Sequence, residues 1–314
     1  MNILENFKAK SKLKAIAAQQ KKYQVQFYNF WKQPNEEMYW YLFLKSRGLL
    51  NNKTIAFISC LGDRRIIDMI QTDIKIFFTG ENLRRYPDYT DYCLTRKDID
   101  LALGFDVFED SRYIRFPLWM MDYTFAPTAG KEEIIHKCAQ MRFPDIGSKR
   151  KFCCMVASNG ADGLRDEILD SVSQIKQVDS AGRYRHNDDS LQSEFGDNKL
   201  LYLHQYNFNI CPENTSAYGY TTEKLFQSIT AGCIPVYWGA EFADKAVINE
   251  DAVIRWDRKN NGKEAMKKIN ELWSNELLLS EFLSQPRLKP TAEEYILDTF
   301  ATIESKLRTI INSK

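Results

Sequence analysis

FNICPENTSAYGYTTEKLFQSITAGCIPVYWG, residues 208–239, is the stretch of sequence that decides the fold. Alternating apolar residues open it and a short apolar run closes it, and between them a polar loop leads into apolar residues at helical spacing. Strand, loop, helix and strand in this order predict one βαβ unit of a buried parallel sheet. Thr221 or Thr222 can cap the helix through a side-chain oxygen, and Ala231 with Gly232 ends it.

Lys224 falls in the first turn of the predicted helix, where the helix dipole favours acidic side chains over basic ones. In open α/β sheets, helix N-termini at the carboxyl ends of the strands commonly bind phosphate groups. An anion bound at this place would explain the lysine. A solvated surface lysine explains its position equally well, so both interpretations stay open on spacing alone.

The same alternation of strand and helix patterns extends over the whole chain. Strands are predicted at residues 23–29, 54–60, 74–79, 152–157 and 246–256, and helices at 36–47, 64–71, 131–141, 165–178, 263–274, 276–285 and 292–313. Strands that alternate with helices favour α/β domains with parallel sheets. A length of 314 residues suits two such domains. The prolines, glycines and basic cluster of residues 125–150 predict the hinge between them.

Composition and charge exclude several classes of function. Lys and Arg number 43 against 42 Asp and Glu, and a net charge of +1 argues against a nucleic-acid surface. Seven cysteines without a CxxC pair, together with three histidines, argue against a metal site and for a reducing compartment. No N-terminal apolar run reaches the length of a signal peptide or a membrane span, so we expect a cytoplasmic protein.

Residues 1–22 are basic and also carry a rough apolar stripe. Six lysines stand there against one glutamate. The stripe consists of Ile3, Leu4, Phe7, Leu13 and Ile16. The favoured interpretation is a helix packed on the domain with a solvated lysine face, and the alternative is an amphipathic helix on an anionic membrane surface.

Three residues near the ends of predicted strands are candidates for a site. Glu81 follows the third strand and stands behind Gly80, which permits a sharp turn. Its carboxylate is therefore expected at the carboxyl edge of a sheet, where α/β proteins bind ligands, although an ordinary acid leading into a helix would look the same. Phe30 and Trp31 end the first strand and offer either an aromatic face to a ligand or core packing.

The opening stretch resembles the signature of glycosyltransferase family 10, the α-1,3/4-fucosyltransferases, and above all its bacterial members. The chain contains the family's motifs in the family's order. They are Glu-Asn at 213–214, Tyr at 220, Thr-Glu-Lys at 222–224 and Ile-Pro-Val-Tyr-Trp-Gly at 234–239. Phe-Thr-Gly-Glu-Asn at 78–82 resembles a second family segment, and further likeness covers residues 29–31, 103–106 and 112–118. Residues 83–100 depart from the family by being longer and more charged.

This resemblance implies a GT-B-like fold, in which two Rossmann-like domains with parallel sheets face one another across a cleft. Residues 1–147 would bind the acceptor and residues 148–290 the GDP-sugar, while a helix at 291–314 would pack back on the first domain. The implied activity is inverting α-1,3 or α-1,4 transfer of L-fucose from GDP-fucose to a hydroxyl of GlcNAc or N-acetyllactosamine type. The acceptor would belong to a cell-surface glycan, such as a lipopolysaccharide with Lewis antigens, or to its lipid-linked precursor.

The resemblance also implies roles for single residues. Glu81 is expected to be the general base, and Lys224 with Arg185 is expected to stabilise the leaving GDP. Arg183 is the second choice for that arginine. Further donor contacts are expected from three residues of the opening motif, Asn214, Tyr220 and Glu223. Contacts with the acceptor are expected from the two aromatic residues at the first strand, Phe30 and Trp31.

The implied partners are a GDP-sugar donor and an oligosaccharide acceptor, without a metal or cofactor, because basic groups would neutralise the diphosphate. Two alternatives stay open. One is a GT-B transferase that uses another GDP-sugar, and the other is a catalytically silent module that binds a nucleotide or a glycan. The pairing of Glu81 with Lys224 favours an enzyme, since a binding module needs no base. A peripheral contact with the inner face of the membrane is also open.

Overall fold

The computed structural model describes residues 3–31, 36–121, 124–147 and 151–314 of the chain, with the side chains of residues 3–5 outside the description. The chain divides into two compact units. The first unit comprises Met1–Ala129 and Leu297–Lys314, and the second comprises Gly130–Ile296. The division thus falls within the predicted hinge region, residues 125–150.

The first unit contains a five-stranded parallel sheet. Its strands are β1 (Val25–Tyr28), β2 (Ile55–Ile58), β3 (Ile74–Phe78), β4 (Leu101–Gly104) and β5 (Tyr113–Arg115). They lie in the order β1-β2-β3-β4-β5, and each pairs in parallel with the next. The three strands predicted for this half are confirmed, with ends that differ by one or two residues.

Both faces of this sheet are buried, which explains why its strands are mostly apolar and why β2 and β4 read as continuous apolar runs. Along β2, Ala56 and Ile58 pack into one apolar cluster on one face. Phe57 points to the other face and stacks on Trp40, with ring centroids 5.4 Å apart. Trp40 belongs to α2 (Tyr39–Ser46), the helix predicted at 36–47.

The N-terminal helix α1 (Ile3–Gln20) rests on the first unit through a narrower face than the sequence predicts. Leu13 and Ala17 are buried against a 3₁₀ helix at Arg64–Met69, while Phe7 is 72% exposed. Residues 13 and 17 are one turn apart, whereas residues 7 and 16 fall on nearly opposite sides of a helix, so the predicted stripe could not face inward as a whole.

The second unit contains another five-stranded parallel sheet. Its strands are β6 (Lys151–Met155), β7 (Asp179–Ser180), β8 (Tyr206–Ile210), β9 (Ile234–Tyr237) and β10 (Ile254–Arg255), in the order β10-β9-β8-β6-β7. After β6 the chain adds β7 on one side and then returns to add β8 on the other. The sheet therefore has a topological switch point between β6 and β8, the place where open α/β sheets bind ligands.

Helices cover the second sheet and connect its strands. They are α3 (Lys131–Arg142), α4 (Leu164–Val172), α5 (Ser190–Ser193), α6 (Lys199–Leu203), α7 (Glu223–Thr230), α8 (Lys263–Trp273) and α9 (Glu276–Ser284). The predicted helix at 165–178 ends at Val172. The predicted strand at 246–256 is reduced to two residues near its end, Ile254–Arg255, because the Asp244 carbonyl accepts from Val247 and Ile248 and turns the chain first.

The last helix, α10 (Ala292–Ser313), begins in the second unit and continues into the first from Leu297 onward. Within the first unit, Phe300 stacks on Phe43 at 6.3 Å and meets Phe116 edge-on at 5.7 Å. The predicted apolar stripe of this helix is buried, at Ile303, Leu307, Ile310 and Ile311. Within the described ranges, no helix is both long enough and apolar enough to span a bilayer.

Candidate active site

A small pocket lies at the carboxyl ends of β6 and β8, at the switch point of the second sheet. Three cationic side chains line it, each from a different helix: Arg165 of α4, Lys199 of α6 and Lys224 of α7. The remaining lining residues are Val156, Ala157, Asn209, Ile210, Cys211 and Pro212. A site with this position and charge suits a phosphorylated, anionic ligand.

The loop before α7 supplies the cap for that helix. Thr222 occupies the N-cap position, but its hydroxyl makes no bond to the helix backbone. The cap is instead the carboxylate of Glu213, which accepts from the Thr222 N–H at 2.7 Å and from the Thr222 hydroxyl at 2.7 Å. The predicted threonine cap is therefore wrong, and the reason is that a buried carboxylate complements the helix dipole better than a hydroxyl does.

Lys224 is held by neighbours within the protein. Its Nζ lies 3.4 Å from Glu213 Oε2 and 3.5 Å from Glu223 Oε1, and it donates to Thr222 Oγ1 at 2.9 Å. Burial lowers the pKa of Lys224, but the two carboxylates outweigh that effect and raise the pKa above its ordinary value. The cation at the helix start thus has counter-ions of its own, and an external anion is not needed to account for it.

Arg165 and Lys199 differ from Lys224 because neither forms an ion pair with a carboxylate in the part of the chain that the structure describes. Arg165 is 4% exposed and donates to neutral acceptors, Asn159 O at 2.6 Å, Asn159 Oδ1 at 2.7 Å and Asn214 Oδ1 at 2.8 Å. Lys199 Nζ donates to Gln227 Oε1 at 2.7 Å. Burial lowers the pKa of both groups. Glu213 acts on Arg165 and Glu223 acts on Lys199 only from beyond ion-pair distance, where each carboxylate offsets part of the effect of burial. A bound anion would therefore stabilise both cations further.

The three residues predicted from the motif to bind the donor differ in their position relative to the pocket. Asn214 is next to the pocket, where its Oδ1 fixes the Arg165 guanidinium. Glu223 lies between two lysines, and although burial raises its pKa, Lys224 and Lys199 lower it overall. Tyr220 is buried, with 5% of its surface exposed.

The two arginines predicted for the donor side do not line the pocket. Arg185 is exposed, and its guanidinium pairs with Asp166 at 2.9 Å and with Asp170 at 2.8 Å. Arg183 is also exposed and makes no hydrogen bond or ion pair with the residues described. The arginine at the pocket is Arg165, which sequence reasoning assigned only to an amphipathic helix. A signal was present, since Arg165, like Lys224, is the second residue of a helix that follows a strand and a polar loop.

In the first unit, Glu81 lies just past the carboxyl end of β3, as the sequence predicts. Gly80 before it packs closely on Leu118, whose side chain would have to move for a larger residue, because a Cβ there would lie 2.6 Å from Leu118 Cδ1. The Glu81 N–H donates to Thr79 Oγ1 at 3.0 Å. Trp31 donates its indole N–H to Glu81 Oε1, also at 3.0 Å, and is 42% exposed. The structure therefore brings two of the predicted acceptor-side residues together at this edge.

Phe30, the third of them, is half-buried beside the pair. Its ring meets Trp31 edge-on at 5.8 Å and lies nearly parallel to Phe78 at 6.2 Å. Phe30 thus serves as packing that supports the Trp31 indole. The sequence left open whether these two aromatic residues pack in the core or are exposed to a ligand. Phe30 packs against neighbouring rings, whereas Trp31 is exposed.

Comparisons with known proteins agree with this arrangement. The model of the glycosyltransferase family 10 (fucosyltransferase) C-terminal region matches residues 146–293, and that of the α-(1,3)-fucosyltransferase FucT N-terminal domain matches residues 25–123. α-(1,3)-Fucosyltransferase FucT of Helicobacter pylori is 29% identical over 228 residues, which are 62% of this chain and 44% of that protein. GDP-fucose protein O-fucosyltransferase 3 of Xenopus tropicalis is 30% identical over 125 residues, 38% of this chain and 26% of that protein.

The chain thus spans less than half of the length of these curated relatives. Among solved structures, that of an α1,3-fucosyltransferase with GDP-fucose is similar in fold, with a TM-score of 0.59 at 23% identity, over 89% of this chain and 89% of that one. The two matching family models cover both halves of the chain and include the Glu81 segment and the pocket of the second unit. The chain belongs to glycosyltransferase family 10.

Proposed function

We propose that the chain is an inverting fucosyltransferase that moves L-fucose from GDP-fucose to a sugar hydroxyl. The observation that carries the proposal is the pocket at the switch point, where Arg165, Lys199 and Lys224 meet. A relative and a structure of similar fold, whose names refer to α1,3-fucosyltransfer and to GDP-fucose, support the choice of donor. The proposal requires the pocket and Glu81 to act on one GDP-fucose molecule.

The pocket is suited to the leaving diphosphate. Three cations and the two carboxylates of Glu213 and Glu223 leave one positive charge in excess before a ligand binds. As the bond from the fucose C1 to the diphosphate oxygen breaks, its electron pair stays on the diphosphate. Cations fixed in a partly desolvated site stabilise this developing charge more strongly than water does. Arg165 and Lys199 form no ion pair with a carboxylate of the described residues, so they can pair with the phosphates and neutralise them in place of a metal.

The acceptor hydroxyl is a weak nucleophile and needs a base. Glu81 takes its proton while the acceptor oxygen forms the new bond to C1, a contribution to rate of about 10²–10⁴. A single base on the acceptor side and a leaving group on the other describe one displacement with inversion. We propose O3 or O4 of a GlcNAc or N-acetyllactosamine unit as the acceptor, on a cell-surface glycan or its lipid-linked precursor.

A panel of donors and acceptors tests this function. GDP-fucose, GDP-mannose and GDP-glucose are each incubated with N-acetyllactosamine, a GlcNAc lipid and a folded protein domain, and GDP release and product mass are measured. Transfer from GDP-fucose to one of the GlcNAc-type acceptors is the expected result. Transfer from another GDP-sugar alone would contradict the donor, and modification of the protein domain alone would contradict the acceptor. GDP binding without transfer to any acceptor would indicate the silent binding module.

We also propose that α1 brings the enzyme to the anionic cytoplasmic face of a membrane. Phe7 is 72% exposed, and Lys8, Lys10, Lys12 and Lys14 are exposed beside it. An exposed apolar side chain among exposed lysines suits an interface with acidic lipids. Each lysine near the membrane surface contributes about 1 kcal/mol to the free energy of binding. Co-sedimentation with phosphatidylglycerol vesicles is expected, and it should fall when Phe7→Ser is combined with Lys8→Glu and Lys12→Glu. Equal recovery with purely zwitterionic vesicles would refute this contact.

A further inference from the structure

The indole of Trp31 and the carboxylate of Glu81 come from different strands of the first sheet. Trp31 follows β1 and Glu81 follows β3, with β2 between them in the sheet. The Trp31 N–H spans this gap to reach Glu81 Oε1 at 3.0 Å. Among the described residues it is the one donor to that carboxylate, and none of them donates to the second oxygen, Oε2.

The backbone that carries Trp31 is fixed by a turn at the end of β1. Asn29 has a left-handed backbone, with φ of 58°, and its Nδ2 donates to Tyr89 Oη at 3.0 Å and to Asp63 O at 3.3 Å. Gly62 is packed so closely against Asn29 that a Cβ there would lie 2.1 Å from Asn29 Oδ1. The chain direction entering Trp31 is therefore set by neighbours that do not include Glu81.

The Trp31 ring packs against two phenylalanine rings and is 42% exposed to solvent. Phe30 and Phe78 meet it at 5.8 Å and 6.3 Å, with interplanar angles of 83° and 66°. Contacts at steep angles of this kind restrict the orientation of a ring, and the exposed fraction of the Trp31 side chain remains accessible to a ligand. A tryptophan that is 42% exposed next to a carboxylate contributes little to the core, and this exposure needs another explanation.

We propose that Trp31 is a positioning residue for the Glu81 base. Its N–H holds Oε1 so that Oε2 is directed at the acceptor hydroxyl, and the open ring face lies where the apolar face of a pyranose would stack. The inference rests on the proposed function, because it concerns how the Glu81 carboxylate is oriented in that reaction. When one oxygen of a carboxylate is already held by a hydrogen bond, the group loses less rotational freedom as the acceptor binds. The distance and angle between the carboxylate and the acceptor hydroxyl govern the rate of proton transfer.

Trp31→Phe tests the hydrogen bond alone, since it keeps an aromatic ring and removes the donor. We expect kcat for fucosyl transfer to fall about tenfold or more, with KM for the acceptor and Kd for GDP each within about twofold of the unaltered chain. Trp31→Leu, which removes the ring as well, is expected to lower kcat similarly and also to raise the acceptor KM. Thermal unfolding of both variants serves as the control for folding.

A double-mutant cycle separates positioning from a structural role. If Trp31 acts through Glu81, Trp31→Phe should have no further effect on single-turnover transfer in a Glu81→Gln background. Equal losses in both backgrounds, or an unchanged kcat for Trp31→Phe, would overturn the inference while leaving fucosyl transfer by the unaltered chain intact. Absence of transfer by the unaltered chain would overturn the proposed function, and the inference with it.

Discussion

Arg165→Met is expected to weaken GDP binding by about 10- to 100-fold and to lower kcat/KM for fucosyl transfer by about 10²–10³. The side chain lines the pocket, is 4% exposed, and is fixed by Asn159 and Asn214 rather than by a carboxylate. Its charge is therefore available to the diphosphate. Methionine fills much of the same volume without the charge, and calorimetric titration with GDP together with steady-state kinetics measures the change.

Arg185→Met is the matched control, because the sequence assigns that arginine the same task and the structure gives it another. Arg185 is exposed and already paired with Asp166 and Asp170. We expect its loss to leave the Kd for GDP within about twofold, since exposed ion pairs contribute little. A large loss of GDP affinity in Arg185→Met with none in Arg165→Met would reverse the assignment. Arg165→Lys is expected to recover only part of the activity, because an ammonium cannot reproduce the planar fork that meets Asn159 and Asn214.

Glu81→Gln is expected to lower kcat by about 10²–10⁴ while the Kd for GDP stays within about twofold. The amide keeps the shape of the side chain but cannot accept the acceptor's proton. GDP affinity should persist because every residue that lines the pocket belongs to the second unit. Single-turnover transfer from radiolabelled GDP-fucose measures the residual rate, and equilibrium titration measures GDP binding.

Glu109→Gln provides the comparison for Glu81, since Glu109 is an exposed acid of the same unit. We expect it to transfer fucose at the rate of the unaltered chain. Turnover by Glu81→Gln at a rate close to that of the unaltered chain would remove Glu81 as the base. A parallel loss of GDP affinity in Glu81→Gln would instead point to a general disturbance of the fold.

Much of the fold was predictable because burial on both faces of a parallel sheet favours continuous apolar runs, and these are visible at 55–58 and 234–237. The candidate site was predictable only in part. Lys224 and Glu81 stand in local motifs, so their positions at strand ends could be inferred. Arg165 could not be placed beside Lys224 without knowing that β6 and β8 are neighbours, which depends on strand order and not on sequence spacing.

The partners of individual side chains were the other part of the site that could not be predicted from the sequence. The counter-ion of Lys224 is Glu213, eleven positions earlier in an irregular loop whose path no periodicity describes. The same carboxylate replaced the predicted threonine cap of α7. The resemblance that identifies the family does not fix the register of the basic segment within an irregular loop, so it favours Arg185 over Arg183 without settling the choice. It does not point to Arg165, which lies outside that segment.

The two amides that hold Arg165 have a consequence for the thermodynamics of donor binding. Asn159 and Asn214 immobilise the guanidinium without neutralising it. A carboxylate in their place would fix it equally well, but the diphosphate would then have to displace that carboxylate. The rotameric entropy of a long arginine side chain is thus lost when the chain folds and not when GDP binds. If Arg165 binds the diphosphate as proposed, its guanidinium is therefore already ordered before GDP arrives, and binding loses little further side-chain entropy there.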